Sequence, residues 1–139
     1  MLKVLIPIDG SDNSLHAVAY LVQSAALYQE PPELHLLNVQ RPFPGTIRGV
    51  HEQAEQHHHD EGIKALAGAR QLFDAAGLKY VYHISVGDAG ETIAHFVKDQ
   101  QIQQVVMCPR GAGAIANMLL GSVTTRMLHL VDVPVLLVK

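Results

Sequence analysis

Apolar and polar positions alternate along the chain between two spacings, one of strands and one of helices. Lys3 to Ile8 carries Val4, Leu5, Ile6 and Ile8 in a near-continuous apolar run, the signature of a strand buried on both faces. Pro7 donates no ladder hydrogen bond and belongs at that strand's end. Gly10-Ser11-Asp12-Asn13 supplies turn and helix-start chemistry. Leu15, Val18, Ala19, Val22, Ala25 and Ala26 then recur at offsets of three and four, which predicts a helix to about Tyr28. Pro31-Pro32 breaks the chain, Leu34 to Val39 reads as a second strand, and Arg41 to Gly49 as a loop. A long polar helix is expected from near Val50, buried along Ile63, Leu66, Ala69, Phe73 and Ala76 and stopped by Gly77.

Tyr80 to Val86 has the aromatic and β-branched content of a third strand. Asp88 with Glu91 three residues on resembles a capping box, and Ile93, Phe96 and Val97 face inward on the helix it starts. Val105 to Met107 gives a fourth strand, and Gly111 to Leu120 a glycine- and alanine-rich connection. Val123, Met127, Leu130 and Val131 set the apolar face of a last helix, and Pro134 opens a fifth strand over Val135 to Val138. Strict β-α alternation predicts an α/β fold: an open, doubly wound, five-stranded parallel sheet, Rossmann-like, with helices on both faces. Ligands of such sheets bind beyond the carboxyl ends of the strands, where the winding reverses, which here points to Ile8 to Ser11, Val39 to Pro42, Ser85 to Gly90 and Met107 to Thr124. Neither a repeat nor a linker divides the chain, so one domain over 1–139 is expected.

Composition narrows the classes of function. Apolar residues make up 48% and charged residues 17%, a globular balance. The net charge of -3 gives no reason to expect nucleic acid as a partner. No apolar run approaches the roughly 20 residues of a membrane span. One cysteine excludes an intrachain disulfide, and with no secretory signal the expected location is cytoplasmic.

The chemistry concentrates in one segment. Met107-Cys108-Pro109-Arg110-Gly111 is followed, after nine residues, by Gly121-Ser122-Val123-Thr124. Glycine lets backbone N–H groups approach an anion closely, and a helix start adds N–H donors and partial positive charge. Ser122 and Thr124 add hydroxyls. This is the composition of an anion cradle, or of a loop packed closely under a helix. It is neither a P-loop nor a dinucleotide fingerprint. No G-x-S-x-G elbow holds a serine nucleophile.

These motifs resemble the universal stress protein family from end to end. The family opens on a strand ending Pro-x-Asp-Gly-Ser, here Pro7 to Ser11. Its nucleotide-binding members carry Gly-x-x-Gly, nine residues, then Gly-Ser or Gly-Thr, and its tail resembles Pro134 to Val138. The resemblance implies ATP, or ADP or AMP, as ligand, with Mg²⁺. It implicates Asp9 and Val39 at adenine and ribose, with Pro7 and Ile8 beside them. Gly111, Gly121, Ser122, Val123 and Thr124 fall to the phosphates, and Met107 and Arg110 flank the ligand. Cys108 stands where the family has its first glycine, and Pro109 follows it where a small polar residue is usual. A Cβ and a missing N–H at these positions weaken or reshape the ribose end. The implied role is regulatory, in the stress response, without catalytic residues and with slow hydrolysis at most. A nucleotide-free dimeric interaction protein is the alternative, and an adenylylating enzyme a more distant one.

Two further features are read as structural. His51, Glu55 and His59 fall on one helix face near His57 and His58, but His51 and His59 are about 12 Å apart along the axis. A solvated polar face, not a metal site, is expected, and His16 and His129 are taken as surface residues. Cys108 is read as a small apolar strand-end residue, since no second cysteine resolves an oxidised thiol. The last strand is apolar on both faces and falls at a sheet edge, which predicts a homodimer by antiparallel pairing through Val135 to Val138, broken by lysines at 136 and 138.

Overall fold

The computed structural model describes residues 1–43, 51–111 and 119–139, with His51 in its backbone only. In chain order the elements are β1 (Lys3–Pro7), α1 (Leu15–Ser24), β2 (Glu33–Gln40), α2 (His51–Ala75), β3 (Tyr80–Val86), α3 (Ala89–Asp99), β4 (Gln104–Met107), α4 (Ser122–Leu130) and β5 (Val135–Leu137). All strand pairs are parallel, in the order β3-β2-β1-β4-β5. This is the doubly wound α/β sheet expected from the alternation. The expected start of α2 near Val50, the loop over 44–49 and most of the 111–120 connection lie outside the described residues.

Two apolar cores flank the sheet. Val4, Ile6, Leu34, Leu36 and Val106 pack with Ala17, Val18 and Leu21 of α1 and Leu66, Ala69 and Phe73 of α2. Leu5, Leu37, Val105 and Met107 pack with Ile93 and Val97 of α3 and Met127 of α4. The unbroken apolar run of β1 follows, because successive side chains enter opposite cores. α1 and α2 therefore cover one face, α3 and α4 the other, and the winding reverses between β1 and β4.

Local signals act as the sequence implies. Asp88 caps α3, accepting from the Glu91 N–H at 3.1 Å. Gly77 takes a φ of 69°, and the N–H of Leu78 bonds back to the Phe73 carbonyl at 3.0 Å, closing α2 in a Schellman turn.

Five expectations about faces and ends are corrected. α1 stops at Ser24, whose hydroxyl donates to the Tyr20 carbonyl, and a 3₁₀ turn over Ala25–Leu27 replaces its last turn. The face α1 buries is Ala17, Val18, Leu21 and Ser24, while Ala26 is exposed. On α4, Thr124 and Met127 are buried whereas Val123 and Leu130 are exposed, a rotation that turns Val123 toward the strand ends. Ala76 lies past the end of α2 and is exposed. His58, read as part of a solvated face, is buried. Its ring stacks on Phe43, with centroids 4.8 Å apart, and its Nε2 bonds the Arg41 carbonyl at 3.0 Å. His16 and His129 are exposed, as read. Among the described residues no helix is long and apolar enough to cross a membrane.

Candidate functional site

A cleft of about 510 Å³ opens at the carboxyl ends of β1, β2 and β4, where the winding reverses. Pro7, Ile8 and Asp9 reach it from β1, Leu37, Val39 and Arg41 from β2, and Met107, Cys108, Arg110 and Gly111 from β4. Gly121, Ser122, Val123 and Thr124 close it from the start of α4. Every residue that the resemblance implicates at the ligand thus lines one cavity. Arg41 and Ala89 line it as well, within the strand-end stretches where the sequence places a ligand, and so do Ser14, Leu37 and Ile93, which were not read as ligand residues.

The strand ends are laced together. The Ile8 N–H donates to the Leu37 carbonyl at 2.9 Å, and the buried Asn38 amide donates back to the Ile8 carbonyl at 2.9 Å. Gln40 in turn donates to the Asn38 side-chain oxygen at 2.7 Å. Asp9 is oriented by Ser11, whose N–H and hydroxyl both donate to its Oδ1. Gly10 makes the turn between them with a φ of 88°. On the other side, a β-carbon at Gly111 would collide with Asp9 Oδ2. Only glycine lets the carboxylate lie against the loop after β4.

Pro109 has a positive role. Its carbonyl accepts from the Gly121 N–H at 2.7 Å, closing the loop between β4 and α4. That N–H is therefore engaged within the protein. The donors that α4 offers an anion are the first-turn N–H groups of Ser122, Val123 and Thr124, which have no intrahelical acceptor, and the hydroxyls beside them. Among the described lining residues, Asp9 is the one carboxylate, and Arg41 and Arg110 are the cations. The cleft offers cations, hydroxyls and a helix N-terminus to an anion, and an apolar wall of Ile8, Leu37, Val39, Ile93 and Met107 to a flat or apolar group. A second depression, about 590 Å³, lies along α2 alone; its Arg70 and Asp74 are both engaged by the Tyr80 hydroxyl.

A titratable cluster escaped the sequence reading. His35 of β2 is buried, with Nε2 2.8 Å from Glu33 Oε1 and Nδ1 3.0 Å from Nε2 of His83 on β3. The Phe96 ring of α3 packs on both. The bond from His35 lowers the Glu33 pKa, aided by Lys3. Burial, and then the neighbouring His35, lower that of His83 from its usual 6.5. The unfolded chain therefore takes up protons at His83 before the folded one does. The stability that neutral His83 contributes is full above pH 6.5 and is lost as pH falls below it. We expect thermal melts run from about pH 8 to about pH 5 to show this decline and His83→Phe to flatten it. A slope unchanged in the variant would remove His83 as its source.

The doubly wound sheet and the glycine-flanked cleft at its switch point define the class: a Rossmann-like α/β protein with a cleft at its strand ends. The model of the Universal stress protein family matches residues 1–139, and the chain belongs to that family. It is 30% identical over 139 residues to universal stress protein MJ0531 of Methanocaldococcus jannaschii, covering 99% of this chain and 81% of that one. Among solved structures it matches universal stress protein UspA of Lactobacillus plantarum with a TM-score of 0.83 at 20% identity, over 99% of this chain and 97% of that one. A universal stress protein solved in complex with cAMP matches at a TM-score of 0.67 and 24% identity, over 99% and 96%. A family member of Arabidopsis thaliana with AMP bound matches at 0.73 and 17%, over 100% and 92%.

Proposed function

We propose that the chain is a cytoplasmic stress-response regulator, a single domain that binds ATP or a related adenine nucleotide in the switch-point cleft. The observation that carries this reading is the Gly121 to Pro109 hydrogen bond, which ties the start of α4 to the end of β4 where Gly111, Gly121 and the first turn of α4 line one cavity. It is supported by the cAMP and AMP held by two structural neighbours. Phosphates would lie on the first-turn N–H groups of α4 and the hydroxyls of Ser122 and Thr124. Asp9, fixed by Ser11, would meet the ribose, and Val39 the base.

Among the described residues no three His, Cys, Asp or Glu side chains assemble as metal ligands. Mg²⁺ would therefore be held by the nucleotide's own phosphates, with Ser122 or Thr124 and water, and would neutralise phosphate charge there. Hydrolysis would need a positioned nucleophile, and we assign no such residue. In this reading nucleotide occupancy changes partner choice, and the functional unit is a homodimer through β5.

The test is to denature the purified chain and look for released adenine nucleotide, then to titrate stripped protein with ATP, ADP and AMP. Release or saturable binding is expected. A chain that releases none and binds none would favour a nucleotide-free interaction protein. One feature does favour that second reading: Cys108 places a side chain in the cleft where nucleotide-binding relatives have glycine. If it merely crowds the ribose end, Cys108→Gly tightens ATP binding up to about tenfold, or about 1.4 kcal/mol, with Pro109 in place. Weaker binding in calorimetry would mean that the side chain helps hold the ligand.

A further inference from the structure

His58 and Arg41 form an arrangement that the phosphate cradle does not use. β2 ends at Gln40, whose carbonyl still has a strand-side partner, the Gly87 N–H at 2.9 Å. Arg41 is the first residue beyond the sheet, and its carbonyl has no ladder to join. His58, seventeen residues on in sequence, reaches it from α2 with Nε2 at 3.0 Å. The carbonyl can only accept, so Nε2 carries the proton. His58 is 8% exposed, and Phe43, itself half exposed, lies across its ring at an interplanar angle of 26°. A buried imidazole thus fixes the exit of β2 at residues 41 and 43, on either side of Pro42.

The consequence falls on the cleft, because Arg41 lines it. Its place there is set by strand order. The glycines and α4 stand at the end of β4, and β1 separates β4 from β2. Arg41 is therefore two strand spacings, about 9.6 Å, from the cradle side. A nucleotide with phosphates on α4 extends its base toward β2. The guanidinium is planar, donates only, and stacks on π faces. The same cleft is lined by Leu37 and Val39 of β2 and by Ile93 of α3.

We propose that Arg41 covers the nucleobase face of the bound ligand and that His58 is the positioning residue that holds it there. The proposal rests on the nucleotide reading of the cleft and adds a base-side cation to it. It also gives the buried member of the histidine run a task.

The experiment measures wild-type affinity for ATP, for adenosine and for inorganic triphosphate, then repeats the three titrations with variants. Arg41→Ala is expected to weaken ATP and adenosine alike, about tenfold, as base stacking does on alanine substitution, and to leave triphosphate unchanged. Arg41→Lys, which keeps the charge but not the plane, recovers less than half of the loss on a logarithmic scale. His58→Ala reproduces the Arg41→Ala pattern. His58→Gln, which keeps an N–H donor near the Nε2 position, restores binding to within about twofold. Melting curves of each variant show that the fold persists. Loss of triphosphate affinity in Arg41→Ala would place the guanidinium on the phosphates and overturn the proposal, as would unchanged adenosine affinity. Failure of His58→Gln to restore binding, with the fold intact, would overturn the positioning role. A wild-type chain that binds neither adenosine nor ATP would instead overturn the nucleotide reading itself, and the base cover with it.

Discussion

Gly121→Val is expected to lose ATP affinity by at least about a hundredfold, about 2.7 kcal/mol, while the chain stays folded. The backbone at Gly121 has φ -73° and ψ 166°, an extended conformation open to any residue. A β-carbon there meets the Pro109 carbonyl oxygen at 3.4 Å, Arg110 Cα at 3.5 Å and the Gly111 nitrogen at 3.6 Å. These are ordinary contact distances, so the β-carbon itself fits. The two methyls of valine add bulk beyond it, beside Gly111 and the first turn of α4. That is where a phosphate would approach the N–H groups of Ser122 and Val123. The residue is the N-cap of α4 and lies in neither core, so stability should fall by no more than a poor cap costs, about 1 kcal/mol.

Calorimetric titration with ATP and Mg²⁺ decides it, with circular dichroism to confirm folding. Gly121→Ala should fall between wild type and valine, which separates bulk from strain. Unchanged affinity in Gly121→Val would remove the start of α4 from the site. A substitution at the other glycine, 111, would act differently, because a β-carbon there drives out the Asp9 carboxylate rather than the ligand.

Why the cleft was readable and its surroundings were not has a physical cause. Glycines, strand ends and a helix start are local features, and parallel winding carries them to one end of the sheet. The continuous run of β1 announces a strand covered on both sides, and from it the central position follows. Helix faces were less legible. The stripes of α1 and α4 each admit several apolar faces, and the angle at which a helix meets the sheet chooses among them. For α4 that choice buries Thr124 and leaves Val123 at the cleft.

The histidines show the limit more sharply. His35 and His83 are 48 residues apart, and β2 to β3 register pairs His83 with Leu37, leaving His35 on the diagonal. Nothing in either segment names the other. His58 looks like one of three equivalent histidines until Phe43 and the Arg41 carbonyl are brought against it.

The second large effect is expected in assembly: the wild-type chain should scatter light as a dimer at micromolar concentration. Among the described residues β5 stands last in the sheet order, beside β4 alone. Its ladder fixes which backbone groups are used. The Pro134 carbonyl accepts from Val105, and the Val138 N–H donates to Met107. With a period of two, the groups of Leu136 also point to β4, and those of Val135 and Leu137 point outward. An unpaired, wholly apolar edge is a template for another strand, and an antiparallel pair of identical edges closes on a two-fold axis without growing. Lysines at 136 and 138 remain a usable test, but both side chains pack partly against the core of α1 and α2. That double variant should be monomeric and also melt lower.

Leu137→Pro is the cleaner probe. It deletes an outward N–H and leaves the ladder to β4 intact, the one setting in which a strand tolerates proline. Its cost is the packing of Leu137 against the α3 and α4 core, which a melt will register. Both variants should scatter as monomers. A wild-type chain that scatters as a monomer at this concentration would overturn dimerisation through β5. A folded Leu137→Pro that stays dimeric would move the interface to another surface.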